Sequence, residues 1–230
     1  MTEKRQRTRI DVRQSVTRSN DAEAENLRQI LTAKGIWVVN LVSSPGAGKT
    51  TLIEKTLERL GDEKRAVVIE GDPYTSLDAD RITALGATGI QINTRAGCHL
   101  DALMITRALD EVDLSETDLI IIENVGNLLC PAAWDLGQSH TVVLASPTEG
   151  GDKPLKYPDA FIRSDVLVIN KTDLLPHLPP SSGGLAGNAN TVNAALKIFE
   201  TSCITGEGLD LWMNWVRARM AEARRGANRA

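Results

Sequence analysis

The apolar run IWVVNLV, residues 36–42, leads straight into SSPGAGKTTL, and this junction constrains the fold more than any other segment. A short β-branched run of this kind reads as a strand buried on both faces of a parallel sheet. Its continuation, Ser43-Ser44-Pro45-Gly46-Ala47-Gly48-Lys49-Thr50, has the phosphate-loop pattern in the strand-to-helix setting that the pattern requires. Glycines let successive backbone N–H groups turn inward around phosphates, and the helix N-terminus adds its positive dipole. Lys49 is expected to reach the β and γ oxygens and Thr50 to complete a Mg2+ shell, with Gly46, Ala47, Gly48 and Thr51 lining the same phosphates. The pattern ordinarily opens with glycine, and Ser43 stands in its place.

Runs of the same kind recur at 66–69, 90–92, 119–122, 141–145 and 166–169, most of them separated by enough chain for a crossover helix. The alternation predicts an α/β fold, a mostly parallel sheet with helices on both faces, in a P-loop NTPase. At 230 residues with 42% hydrophobic content, one such domain needs neither disulfides nor a structural metal to hold its core. The expected limits are a disordered basic arm over 1–20, a GTPase domain over 21–217 and a frayed basic tail over 218–230. A helix is expected from Asp21 with Leu27, Ile30 and Leu31 on one face, and a second carrying Leu209, Trp212, Met213 and Val216. The Pro-, Gly- and Ser-rich stretch 176–190 reads as a mobile surface insertion.

Twenty-six basic against 30 acidic residues leave a net charge of -4, without the cationic field of a nucleic-acid binder. No apolar run approaches the roughly 20 residues needed to span a bilayer, and the charged start has no secretory signal, so a cytoplasmic location is expected. Cys98, Cys130 and Cys203 cannot all pair within the chain, which suits a reducing compartment.

Two acids at strand ends, Asp72 in Glu70-Gly71-Asp72 and Glu123 in Glu123-Asn124-Val125-Gly126, are candidates to hold magnesium from its other side. The second string resembles the D-x-x-G switch of GTPases with Glu replacing Asp, and Gly126 closes it. Asp72 or Asp78 is a candidate to position water; no arginine finger and no switch glutamine can be assigned. Downstream, Asn170-Lys171-Thr172-Asp173 has the N-K-x-D form. An ionised Asp173 can accept both N1–H and the exocyclic amino N–H of guanine, a pair adenine does not offer. Ser202-Cys203-Ile204-Thr205 follows the apolar Ile198 and Phe199, as does the GTPase loop whose backbone N–H groups receive guanine O6.

Gly97-Cys98-His99-Leu100 precedes a helix, and Cys130 lies four residues beyond Gly126. Two thiolates and an imidazole suit nickel, zinc or copper rather than magnesium. Taken singly, a free cysteine usually packs and a histidine usually hydrogen-bonds. Three ligands leave a position for water, a carboxylate or a ligand from a second copy of the chain. Adjacent Cys98 and His99 cannot easily supply a closed site with Cys130 inside one chain.

With these motifs in hand, the chain resembles the hydrogenase nickel-incorporation GTPases, a family of dimeric P-loop metallochaperones. The resemblance runs from about Leu27 to Val216 on VSSPGAGKTTL, VIEGD, GCHLDA, IIENVGNLLCPA, SPTEGGDKPLKYP, NKTDLLP and TGEGLDLW. It implies that Cys98, His99 and Cys130 bind Ni2+ or Zn2+ near a subunit interface, and that GTP favours a homodimer. The implied partners are hydrogenase maturation proteins and the hydrogenase large-subunit precursor. Some members carry a Cys-rich or His-rich N-terminal nickel stretch; this sequence has neither, and 181–190 lacks the charged helical sequence expected there. The leading expectation is a slow GTPase that delivers nickel under control of its phosphate state. The alternatives are a urease-type nickel accessory GTPase, a P-loop kinase or ATPase with no need of Asp173, and a zinc-stabilised assembly module with a vestigial nucleotide site.

Overall fold

The computed structural model describes residues 12–61, 65–72, 77–94 and 97–229. Seven strands, β1 (Trp37–Ser43), β2 (Ala66–Asp72), β3 (Thr88–Asn93), β4 (Leu119–Glu123), β5 (His140–Ala145), β6 (Val166–Ile169) and β7 (Lys197–Glu200), form one sheet in the order β3-β2-β4-β1-β5-β6-β7. Every pairing is parallel. The helices are α1 (Val12–Ala33), α2 (Lys49–Leu60), α3 (Leu77–Ala84), α4 (Ala102–Leu109), α5 (Lys153–Lys156), α6 (Pro158–Ile162), α7 (Leu185–Val192) and α8 (Leu209–Ala227). None in the described residues is long and apolar enough to cross a membrane.

Strand alternation divides the core. Trp37, Val39 and Leu41 of β1 meet Leu52, Ile53 and Leu57 of α2 and Trp212, Met213 and Val216 of α8. Ile36 and Val38 point the other way, with Ile120 and Ile122, toward Leu27 and Leu31 of α1 and Ile105 and Leu109 of α4. A third cluster joins Val143, Leu167 and Ile169 to Phe161, Leu185 and Ala189. Both faces are thus buried, as an all-parallel sheet requires.

Several expected boundaries move. Helix α1 starts at Val12 rather than Asp21, so the segment read as a disordered arm is helical from there; residues 1–11 lie outside the described residues. Just ahead of the expected start, buried Asn20 anchors the helix: its Nδ2 donates to Asp135 O at 2.9 Å and its Oδ1 accepts from Ala102 N at 2.9 Å, tying α1 to the start of α4. Ile30 is exposed, since Ala24, Leu27 and Leu31 supply the buried stripe. Helix α8 continues to Ala227 in place of a frayed tail, because Met220 is buried and Arg224 pairs with Asp118. The supposed insertion is a 3-10 turn at Pro180–Gly184 followed by α7, which buries Leu185 and Ala189 and donates Asn188 Nδ2 to Gly151 O at 2.8 Å. Strand β7 was not foreseen.

His140 begins β5 and accepts from Trp37 Nε1 on its Nδ1 at 3.0 Å, which fixes a neutral ring with its proton on Nε2. Burial pushes its pKa down, against the pull of Asp165. The unfolded chain therefore binds this proton more readily than the folded one. Stability from this group is complete above its ordinary value of about 6.5 and falls as pH drops through that value toward the depressed one. Between pH 7.5 and 5.5, His140→Gln is expected to lose less in Tm than wild type, which calorimetry at the two pH values measures.

Candidate nucleotide and metal site

The candidate residues lie at or beyond the carboxyl ends of the strands, where open parallel sheets bind ligands. The phosphate loop leaves β1 at Ser43, whose presence in the glycine position has a visible use. Its buried hydroxyl accepts Lys49 Nζ at 2.9 Å and donates to Ser44 O at 2.6 Å. Burial lowers the Lys49 pKa, opposed by the carboxylates of Glu123 and Glu149. Thr50 Oγ1 donates to Glu123 Oε1 at 2.8 Å, so a hydroxyl and a carboxylate sit together beside the loop. These hard oxygen donors fit magnesium. Thr51 follows, half-buried, in the first turn of α2. Asp72 ends β2 opposite Asn93 of β3, and Asp78 lies in α3.

Gly46 and Gly48 have φ of 78° and 103°. At Gly48 a side chain is excluded twice over, because a Cβ would come within 2.5 Å of Asn170 Nδ2. That contact laces the phosphate loop to the base loop: Asn170 Nδ2 donates to Ala47 O at 3.2 Å and Lys171 Nζ to Gly46 O at 2.7 Å. Lys171 adopts φ 64°, which turns the chain so that Asp173 follows in a 3-10 turn at Thr172–His177. Asp173 Oδ1 is buried with no hydrogen-bond partner among the described residues.

Ser202 and Cys203 take different parts from those expected. The Ser202 N–H donates to Glu207 O at 3.0 Å and the Cys203 N–H to Asn170 Oδ1 at 3.2 Å, so both amides build the loop. Burial raises the Cys203 thiol to about 11.

Gly126 brings the switch-like segment onto the phosphate loop: a Cβ there would lie 3.2 Å from Pro45 Cγ. Four residues on, Cys130 meets Cys98 and His99, and the ligand atoms of the three lie within 4.8 Å of one another. One chain therefore assembles all three, and a fourth ligand is left to water, a carboxylate or a second copy. Cys98 Sγ is 3.5 Å from His99 Nδ1. The Cys130 side chain, with a smaller effect from burial, raises the Cys98 pKa, while burial lowers that of His99 against the pull of Asp101. Two soft sulfurs and one imidazole, opening to solvent at exposed Cys98, suit a transferable nickel or zinc ion.

Three contributors escaped the sequence reading. Trp134 stacks on His99 with ring centroids 4.4 Å apart and planes at 17°. Its signal was an aromatic residue four positions after Cys130. Glu149 and Lys153, in the SPTEGGDK string, come to the phosphate loop. Lys153 Nζ donates to Ser44 Oγ at 3.2 Å and lies 3.6 Å from Glu149 Oε2.

Residues 37–200 match the family described as CobW/HypB/UreG, nucleotide-binding domain. The chain is 47% identical to the hydrogenase maturation factor HypB of Azotobacter chroococcum mcd 1 over 218 residues, 95% of this chain and 70% of that protein. The crystal structure of the hydrogenase maturation factor HypB from Archaeoglobus fulgidus superposes with a TM-score of 0.83 at 37% identity, covering 88% of this chain and 99% of that one. That of HypB from Helicobacter pylori in complex with nickel does so at 0.81 and 36%, covering 89% and 96%.

Proposed function

We propose, from the premise that this chain belongs to the CobW/HypB/UreG family and within it to the hydrogenase maturation factors HypB, that it hydrolyses GTP slowly and hands over nickel as the phosphate state changes. One observation carries the reading: the segment that begins at Glu123 beside Thr50, and rests Gly126 on Pro45, ends at Cys130, whose sulfur lies within 4.8 Å of the ligand atoms of Cys98 and His99. A shift of that segment on loss of the γ-phosphate displaces a nickel ligand directly.

In this reading Lys49 leaves Ser43 for the β and γ oxygens. Thr50 and Glu123, with Asp72 beyond them, hold magnesium, which when bound neutralises phosphate charge. Asp173 selects guanine, and the Ile204 N–H, next along the loop from the two engaged amides, takes O6. Nickel is cargo: Cys98, His99 and Cys130 hold it with one position open for transfer to a hydrogenase precursor. Exposed Leu103 and Leu129 flank this site in sequence and support a dimer face there.

The test is paired. Single-turnover hydrolysis is expected on the order of 10⁻³ per second or below without a partner; several turnovers per second would refute a slow switch. Nickel titration with GDP and with a non-hydrolysable GTP analogue is expected to give different affinities. If the analogue drives dimerisation and the dimer binds nickel more tightly, nickel must tighten dimerisation by the same factor. Sedimentation with and without nickel measures that factor, and Cys98→Ala is expected to abolish it.

A further inference from the structure

A buried carboxamide in an otherwise apolar strand is costly unless its groups are bonded. Asn40, inside β1 and 1% exposed, is such a residue, and its Oδ1 accepts from Asn124 Nδ2 at 3.2 Å. Asn124, also 1% exposed, lies just past β4, and its own N–H donates to Leu41 O at 3.1 Å. It is held to β1 by side chain and backbone alike.

Its remaining oxygen faces two loops. Asn124 Oδ1 accepts from Val125 N at 3.0 Å, inside the switch-like segment, and from Leu100 N at 3.4 Å, the residue after His99. Leu100 is fully buried, and its side chain fills the space over Gly71 at the end of β2, where a Cβ would meet it at 2.9 Å. The Cys98-His99 loop is therefore fixed by an apolar anchor on β2 and a polar one on Asn124. Cys130 reaches the site by another path, along the chain from Gly126. The two halves of the metal site meet again where Trp134 stacks on His99.

We propose that Asn124 is the positioning residue that holds Cys98 and His99 to the sheet while the segment from Val125 onward carries Cys130, so that the phosphate state sets the distance between the two halves of the metal site. This rests on the coupling of nickel release to nucleotide state proposed above. Without the Asn124 oxygen, Cys130 still follows the switch segment through the chain, but the Cys98-His99 loop is released from the sheet and can follow Cys130 through the shared metal, and the nucleotide no longer sets the distance between the ligand pairs.

The experiment uses the full chain and nickel ion alone. Nickel Kd is measured by chelator competition with GDP and with the GTP analogue bound, alongside the thiolate-to-nickel charge-transfer absorption. A wild-type ratio of Kd values on the order of 5 to 150 is expected for an ordinary coupling. In Asn124→Ala the ratio is expected to fall within about twofold of unity, and the absorption band no longer shifts between nucleotides. Asn124→Asp keeps the acceptor for Val125 and Leu100, and Asn40 can turn its amide to donate, so it is expected to retain the ratio. Equal weakening in both nucleotide states with the ratio intact, in Asn124→Ala, reduces the residue to a structural role and overturns the proposal. Loss of the ratio in Asn124→Asp as complete as in Asn124→Ala also overturns it. Should Asn124→Ala fail to fold, Asn40→Ala removes the anchor while sparing Asn124, and a wild-type ratio there is the overturning result. A wild-type ratio of one overturns the coupling itself.

Discussion

Asp173→Asn is expected to weaken GTP binding by about 10²–10³-fold and to bring xanthosine triphosphate up as the better ligand. The carboxylate offers two acceptors to the N1–H and amino N–H of guanine, and charge-assisted bonds of this kind contribute about 1.5–3 kcal/mol each. Losing one acceptor and the charge costs about 3–4 kcal/mol, hence the expected range. Asparagine presents one acceptor and one donor, which matches xanthine, whose C2 carries a carbonyl in place of the amine. Asp173 is the clean position for this test because its Oδ1 is buried without a hydrogen-bond partner among the described residues. Asn170→Ala would instead strip the Cys203 N–H and Ala47 O of their partner and disturb the phosphate loop itself. Equilibrium binding of fluorescent GTP and competition by xanthosine and adenosine triphosphates reads the result. Unchanged GTP affinity would refute the guanine role, and strong competition by ATP in wild type would favour a kinase or ATPase.

The parts of the fold legible in the sequence are those where one physical signal dominates. Strands buried on both faces show as continuous β-branched runs, and six of the seven were visible in this way. Strand β7 was not, because at the sheet edge Lys197 and Glu200 are exposed and only Phe199 is buried, too short an alternation to stand out. Helix α7 carries Gly187, Asn188, Asn190, Thr191 and Val192 among its eight residues, weak helix formers that its tertiary contacts at Leu185 and Ala189 overrule. The early part of α1 is anchored at Asn20, a polar residue whose partners lie more than 80 positions away and leave no local signal. In the site, the types and order of the motifs were plain, since each answers to local chemistry. The grouping of Cys98, His99 and Cys130 came through the resemblance, while the features that set it, the parallel alignment of β2, β3 and β4 and the pairing of Asn124 with Asn40 of β1, have no local signal.

Those ligands give the second large effect. Four-ligand thiolate and imidazole sites hold zinc with about 10–16 kcal/mol, so each ligand carries roughly 2.5–4 kcal/mol. Cys130→Ala is therefore expected to weaken nickel binding by about 10²–10³-fold, and Cys203→Ala to leave it unchanged, since that thiol is buried in the base loop and its pKa is held near 11. The pH dependence separates ligation from a general loss of structure. Metal must displace a proton from each thiol, and the Cys98 proton is held above its ordinary range, chiefly by the neighbouring Cys130 side chain and then by burial. Burial keeps His99 neutral to lower pH than usual, so over the neutral range protons compete mainly at sulfur. Affinity should then fall with acidification by about tenfold per pH unit for each thiol involved, a limiting slope of two decades per unit in wild type. Removing Cys130 removes one competing proton. Titrations from pH 8 to 6.5 are expected to show the slope dropping to one decade per unit in Cys130→Ala, and an unchanged slope would show that Cys130 does not ligate nickel.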